Sequence, residues 1–453
     1  MPGRHSRRSV LATMTALPLA GALSACSGGT SGADSTSRTS TTGNRAGRNA
    51  TRITFWSALR GSQEVVDAFN RTHDTIQVDF QQIPSGPQGG YAKLSNASRA
   101  GDAPDVATIE YPQLPGFAID GVARDLTAMV SDSLRAKLLP QALDLTTFDK
   151  RVFSLPLDVE PMVMHYRTDL FEQYGIEVPG TWDEFEEASR TVRRKAPGRR
   201  LSAFATDGGF QFAAFAWQAG AQWFDTRGGA WNVSLADEPS RRVAAYWQRM
   251  IDQDLVSMTP VDSRQYDALL SAGKILVRLS GAWDAGAQMK ARPGQKGQWA
   301  VAPLPQWNAG DASVGTHGGS TFAVTKGSEH PEAALEFIEW QVAHPDALRA
   351  RLSSGASSQY PAAPGLVAVG RKAFDRAYYN GQDIYTLFEQ EADKIRDGWI
   401  WGPRMTATQK VMQDGFARVG GGQGSVLDAV RAAQRGTMPD LRALGLSTTE
   451  HSS

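Results

Sequence analysis

Residues 53–80 read ITFWSALRGSQEVVDAFNRTHDTIQVDF. Ile53-Thr54-Phe55-Trp56 has the composition of a short strand, and Ile76, Val78 and Phe80 alternate with Gln77 and Asp79 at a period of two. Between them, Val65, Val66 and Phe69 fall on one helical face. Strand, helix and strand with short joins make a βαβ unit, which argues for an α/β fold with a mostly parallel sheet. The pattern runs on. Tyr91 to Ala100 reads as a helix stopped at Gly101, and Asp105 to Ile109 as the next strand. Thr181 and Glu184 stand at capping-box spacing before Phe185 and Ala188, a strong helix start. Pro331 opens another helix, with Leu335, Ile338 and Val342 on one face. Lys274 to Val277 and Thr321 to Val324 read as further strands. The expectation is an α/β chain in two lobes.

The ends carry a different signal. Arg4, Arg7 and Arg8 precede an uncharged apolar run from Val10 to Ala22, too short to span a bilayer. These are the parts of a secretory signal peptide over residues 1–25. Leu23-Ser24-Ala25-Cys26, with the only cysteine of the chain, resembles a bacterial lipobox. That resemblance implies a lipid on the Cys26 sulfur and cleavage that leaves Cys26 first. Ser6-Arg7-Arg8-Ser9-Val10-Leu11 also resembles a twin-arginine signal, with Val10 where Phe is commoner, so Sec and Tat export both stay open. Residues 26–50, after the thiol almost all Ser, Thr, Gly, Ala, Arg and Asn, cannot bury enough apolar area to offset their ordering entropy; a flexible tether is expected.

Net charge is zero over 453 residues, but residues 1–52 hold seven Arg and one Asp. The remainder carries 40 of the 47 basic residues and 46 of the 47 acidic ones, a mildly acidic body for which nucleic acid is an unsuitable partner. Catalytic signatures are scarce: no G-x-S-x-G, H-E-x-x-H or C-x-x-C occurs, and no two histidines stand at metal-ligand spacing. The cluster Gly420-Gly421-Gly422-Gln423-Gly424 lacks the Lys-Ser/Thr of a phosphate loop and reads as a helix-ending turn. No cofactor, metal or catalytic residue is expected. Carboxylates are plentiful, so a surface glycosidase remains an alternative.

The motifs that remain resemble those of the family 1 extracellular solute-binding proteins of ABC importers, the group of maltose-binding protein, over nearly all of residues 51–445. Ala100-Gly101-Asp102-Ala103-Pro104-Asp105-Val106 is like the family's A-G-x-x-P-D-V. Ser154 to Asp158, followed by Tyr166 to Phe171, is similar to its crossing segment. Pro179-Gly180-Thr181-Trp182-Asp183-Glu184-Phe185 matches its P-x-T-W-D-E-F start, and Gly273 to Trp283 its G-x-x-A-M-x-x-x-G-x-W strand and turn. Gly318-Gly319-Ser320 and the helix from His330-Pro331 complete the order.

This resemblance implies a type II periplasmic-binding-protein-like fold: two lobes, crossing hinge segments and a ligand cleft between them. Crossings are expected near Pro156–Asp158 and Gly319–Phe322 and within about 354–374. One lobe is then 51–156 plus 324–360, the other 159–318 plus 370–445. The implied function is lipid-anchored capture of a sugar or oligosaccharide outside the membrane, for delivery to an ABC permease. Some relatives carry glycerol 3-phosphate or a glycerophosphodiester, which is the alternative within the class.

A sugar offers hydroxyls at its edges and C–H patches on its faces, so its site pairs aromatic platforms with short polar groups. By resemblance Trp283 and Trp401 are stacking platforms, Phe210 a third, and Glu160 a polar contact that neighbouring Asp158 could replace. Glu110 and Tyr111 end a strand, and Ser57 and Arg60 follow another, where open α/β sheets bind ligands. Gly318 and Gly319 offer amides and room for close approach, and Arg404 a partner for a hydroxyl or an anion.

Overall fold

The computed structural model describes residues 50–227 and 229–450. The expected signal peptide, Cys26 and all but the last residue of the expected tether lie outside the described residues.

The βαβ unit is present as read: strands Thr51–Ser57 and Ile76–Gln82 pair in parallel around the helix Ser62–Thr72. Val65, Val66 and Phe69 are the buried face of that helix. Phe55 meets Phe322 at 5.6 Å and Phe337 at 5.4 Å, and Phe69 meets Phe337 at 4.9 Å, mostly edge to face. These rings tie the opening unit to the helix Pro331–Ala343, so a late stretch of chain returns to the first lobe. The sheet has the order Ile76–Gln82, Thr51–Ser57, Val106–Glu110, Ser320–Val324, Leu155–Pro156.

Only the first three of these strands are parallel. Ser320–Val324 runs antiparallel to both neighbours. In the second lobe Met162–Arg167 is the middle strand, flanked antiparallel by Val277–Gly281 and Trp299–Pro303. Ser202–Ala205 and Val256–Thr259 form a separate parallel pair. The expectation of a mostly parallel sheet therefore fails outside the opening unit and that pair. The reason is topological: Ser320–Val324 and Met162–Arg167 are entered directly from the other lobe, without the crossover helix that parallel neighbours require.

The strand expected at Lys274–Val277 begins only at Val277. Gly273 takes φ +61° to end the preceding helix, the Lys274 amide donates back to the Leu269 carbonyl, and Ile275 makes a single bridge to Arg200.

Three segments pass side by side between the lobes. Leu157 donates to Ser320 and Ala362 to Leu157, while Val159 donates to Tyr360, His317 to Glu160 and Met162 to Gly315, all through backbone groups. The crossings expected at Pro156–Asp158 and Gly319–Phe322 lie here, and the third runs through Tyr360–Ala362.

Most tryptophans are core. Trp182 packs within 5.4–5.8 Å of Phe185, Phe215, Tyr246, Trp247 and Trp307. It opens the helix Trp182–Lys195, whose capping box is complete: Thr181 Oγ1 accepts from the Glu184 amide at 3.2 Å, and Glu184 Oε2 accepts from the Thr181 amide at 3.1 Å. Among the described residues no helix is long and apolar enough to cross a membrane. Thr181→Ala removes one of these bonds and is expected to cost about 0.5–2 kcal/mol of stability. A lowered midpoint in thermal unfolding by circular dichroism checks this, and an unchanged midpoint contradicts it.

Candidate functional site

Where the sheets' carboxyl ends face one another, a cavity of about 670 Å³ opens. Arg60 follows the strand Thr51–Ser57, and Glu110 ends Val106–Glu110. From the other lobe Asp207 and Phe210 follow Ser202–Ala205, Asp262 follows Val256–Thr259, and Trp283 follows Val277–Gly281. A strand end leaves the chain free to turn, so side chains there project into the crevice. The crossing segments bring Asp158, Glu160, Gly318 and Gly319 to the same cavity.

Trp283 is half-buried, and its indole N–H donates to the His317 carbonyl at 2.9 Å. The Arg60 guanidinium lies over its ring, 5.6 Å from the centre. Gly318 has φ +96°, and a Cβ there would come within 2.9 Å of the Trp283 ring nitrogen. Gly319 has φ +100°, and a Cβ there would come within 2.6 Å of the Tyr111 ring. Both glycines are needed for close approach, but the close neighbours are aromatic rings of the protein itself.

Trp401 is 3% exposed and packs edge to face on Phe210 at 5.8 Å and Trp399 at 5.1 Å. It lines the cavity as part of a tryptophan cluster in which Trp217 and Trp399 stack at 4.9 Å.

Glu160 is 1% exposed, and neither carboxyl oxygen has a well-formed hydrogen bond, although the Trp283 and Tyr360 amides lie nearby. Burial, reinforced by the charge of Asp158, holds its pKa well above the usual carboxylate range. Asp158 accepts from the Ser320 amide at 2.7 Å. Burial pushes it up to about 7, against the lowering pull of that amide and of Arg351. Glu110 accepts from the Tyr91 hydroxyl at 2.5 Å, and burial raises it too. His317, whose amide donates to the Glu160 carbonyl, is driven down to about 4 by burial and by Arg278, and is neutral at pH 7.

Three expected site residues do not line the cavity. Ser57 is fully buried, and its hydroxyl ties the strand end together, accepting from the Leu59 amide at 3.0 Å and from Thr108 at 2.8 Å. Tyr111 is buried under Gly319 with its hydroxyl donating to the Asp158 carbonyl at 2.8 Å. Arg404 is engaged by Asp120 in a two-pronged ion pair at 2.9 and 3.0 Å. Each satisfies a neighbour that the linear sequence does not reveal.

The cavity also holds residues that were not singled out. Arg278 lies 2.6 Å from Asp284, buried with it. Asp207 accepts from the Val261 and Asp262 amides. Gln409 and Gln413 stand one turn apart on the helix Met405–Gly420. The strand-end rule that led to Glu110 also leads to Asp207 and Asp262, once their strands are recognised. Among the described residues no group of three or more His, Cys, Asp or Glu could hold a metal ion.

Two α/β lobes joined by crossing segments, with an aromatic and acidic cavity between them, define a two-lobed ligand-binding protein. Residues 57–346 match the family described as bacterial extracellular solute-binding protein, and the chain belongs to that family. It is 27% identical over 304 residues to the arabinooligosaccharide-binding protein of Bacillus subtilis, covering 64% of this chain and 68% of that one. To the lactose-binding protein of Rhizobium radiobacter it is 28% identical over 201 residues, 43% of this chain and less than half (46%) of that protein's length. Among solved structures it resembles the galacto-N-biose-/lacto-N-biose I-binding protein of the Bifidobacterium longum ABC transporter, in complex with lacto-N-biose. That match has a TM-score of 0.79 at 26% identity, over 88% of this chain and 99% of the other.

The raised Asp158 makes a pH prediction. Its folded-state pKa of about 7 lies above its ordinary 3.8, so the folded protein holds this proton more tightly than the unfolded chain. The resulting stabilisation is full below about pH 4 and is lost as pH rises through about 7. Asp158→Asn, which cannot ionise, is expected to flatten the fall in melting temperature between those values. An identical slope in the variant contradicts the assignment.

Proposed function

We propose that this protein captures a sugar or oligosaccharide on the extracytoplasmic side of the membrane and delivers it to an ABC permease. The observation that carries this is the lining of the cavity: aromatic rings from Trp283, Phe210 and Trp401 beside Glu160, a buried carboxyl with no well-formed hydrogen bond. A buried acceptor left open is costly, and a hydroxyl-bearing ligand relieves that cost. Relatives named for arabinooligosaccharide, lactose and lacto-N-biose support the same class.

A shortage of free cations disfavours the anionic alternative. Arg60 and Arg278 are the arginines that line the cavity, and Arg278 is already paired with Asp284. Arg404, once a candidate for an anion, is held by Asp120. A glycosidase places two carboxyls across a scissile bond, roughly 5–9.5 Å apart. Asp158 and Glu160 instead interact with each other on one extended segment, which favours a carrier.

The lobes are 51–156 with 324–360, and 159–318 with 370–445, turning about the three crossing segments. Residues 1–25 direct export, Cys26 carries the lipid and residues 26–50 are the tether. A single acyl chain anchors weakly, so the anchor is the multi-chain kind of bacterial lipoproteins.

Thermal-shift screening of neutral di- and oligosaccharides against glycerol 3-phosphate and glycerophosphodiesters tests the ligand class, because a bound ligand raises the melting temperature. A neutral sugar is expected to stabilise the protein. Stabilisation by the phosphates alone overturns the reading. With that sugar, Trp283→Ala is expected to weaken binding by about 0.5–1.5 kcal/mol beyond the lost area, read by calorimetry. Cys26→Ala is expected to move the protein from the membrane fraction to the soluble one; full retention in the membrane counts against the anchor.

A further inference from the structure

Beside the cavity the two lobes meet again, away from the crossing segments. Pro112 and Trp401 both line the cavity, one from each side, and the residues just after each of them touch. Arg404 Nη1 donates to Asp120 Oδ2 at 2.9 Å and Nη2 to Oδ1 at 3.0 Å, a fork-to-fork ion pair. Thr406 Oγ1 donates to Gln113 Oε1 at 2.6 Å. Gly116 lies flat on the chain between them, where a Cβ would come within 2.6 Å of the Pro403 carbonyl oxygen.

The two sides belong to different cores. Leu114 and Phe117, on the helix Leu114–Ile119, pack with Ala107, Ile109 and Ala323 of the first sheet. Arg404 precedes the helix Met405–Gly420, whose Phe416 packs on Phe204 at 5.0 Å and Phe212 at 5.6 Å in the second lobe. Neither residue is buried: Arg404 is 29% and Asp120 41% exposed at the side chain.

We propose that Asp120 and Arg404, backed by Gln113 and Thr406, form a clasp across the rim of the cleft that favours the closed arrangement and keeps Trp401 in the cavity wall. The crossing segments are hydrogen-bonded at the cavity floor, so rotation about them separates the rim. The clasp is a contact that must break, as is the seat of the Arg60 guanidinium over the Trp283 ring. A partly exposed pair biases such an equilibrium by roughly one- to fivefold, enough to favour closure while leaving it reversible. Its strength falls as salt screens the charges. The clasp does not depend on which solute the cleft takes.

Small-angle scattering of the ligand-free full chain reads the clasp directly. Arg404→Gln and Asp120→Asn are each expected to raise the radius of gyration, and the charge swap Asp120→Arg with Arg404→Asp to restore it. The unaltered chain in rising salt reads the same contact without a substitution and is expected to expand. Because no ligand is present, these results stand apart from the sugar screen. An unchanged radius in both single variants and in high salt overturns the clasp, as does a swap that leaves the chain expanded.

Discussion

The structure depends on the backbone bonding of three segments that cross between the lobes. At the crossing, Leu157 is bonded to both of its neighbours, to Ser320 through its amide and to Ala362 through its carbonyl. Backbone groups buried at such a junction must find partners, and the segments satisfy one another. This pairing puts Leu155–Pro156 on the edge of the first sheet and sends the chain on into Met162–Arg167, the middle strand of the second sheet. It also delivers Asp158, Glu160, Gly318 and Gly319 to one cavity. A few bonds per segment, rather than a full ladder, leave the junction defined but narrow, which suits a hinge.

Around this junction burial and charge are set against one another. Burial costs Asp158 and Glu160 their ordinary acidity, and neither has a salt-bridging arginine in contact. Arg278, by contrast, is paired with Asp284 and lies 5.2 Å from the Tyr266 ring centre. The unpartnered carboxyl of Glu160 sits on the floor and the satisfied cation on the wall. Such a cavity meets hydroxyl donors readily and an anion poorly. The aromatic residues divide in the same way. Trp182, Trp223, Trp247 and Trp299 fill cores, while Trp283 remains half-open to the cleft.

Local elements were legible because their signals are local. The capping box at Thr181, the stop at Gly101 and the buried stripe of Ser62–Thr72 each need only a few neighbouring residues. Strand direction was less so, since it depends on which lobe a strand comes from. Among the residues expected at a site, Arg60, Glu110, Asp158, Glu160, Phe210, Gly318, Gly319, Trp283 and Trp401 come together at the cavity. Ser57, Tyr111 and Arg404 do not, because hydroxyls and a guanidinium look alike in sequence whether they face a ligand or tie down the chain. Gln409 and Gln413 stayed hidden among polar residues of an ordinary helix until its packing turned them inward.

The sequence by itself determined the α/β class, most helix starts and stops and the order of family motifs. All of these rest on short-range sterics, periodicity and composition. Only the tertiary structure decided which carboxyls are buried, which ring faces the cleft, and that Arg404 is spent on Asp120, 284 residues away along the chain. Burial and ion pairing are set by residues distant in sequence, and no local pattern encodes their distances.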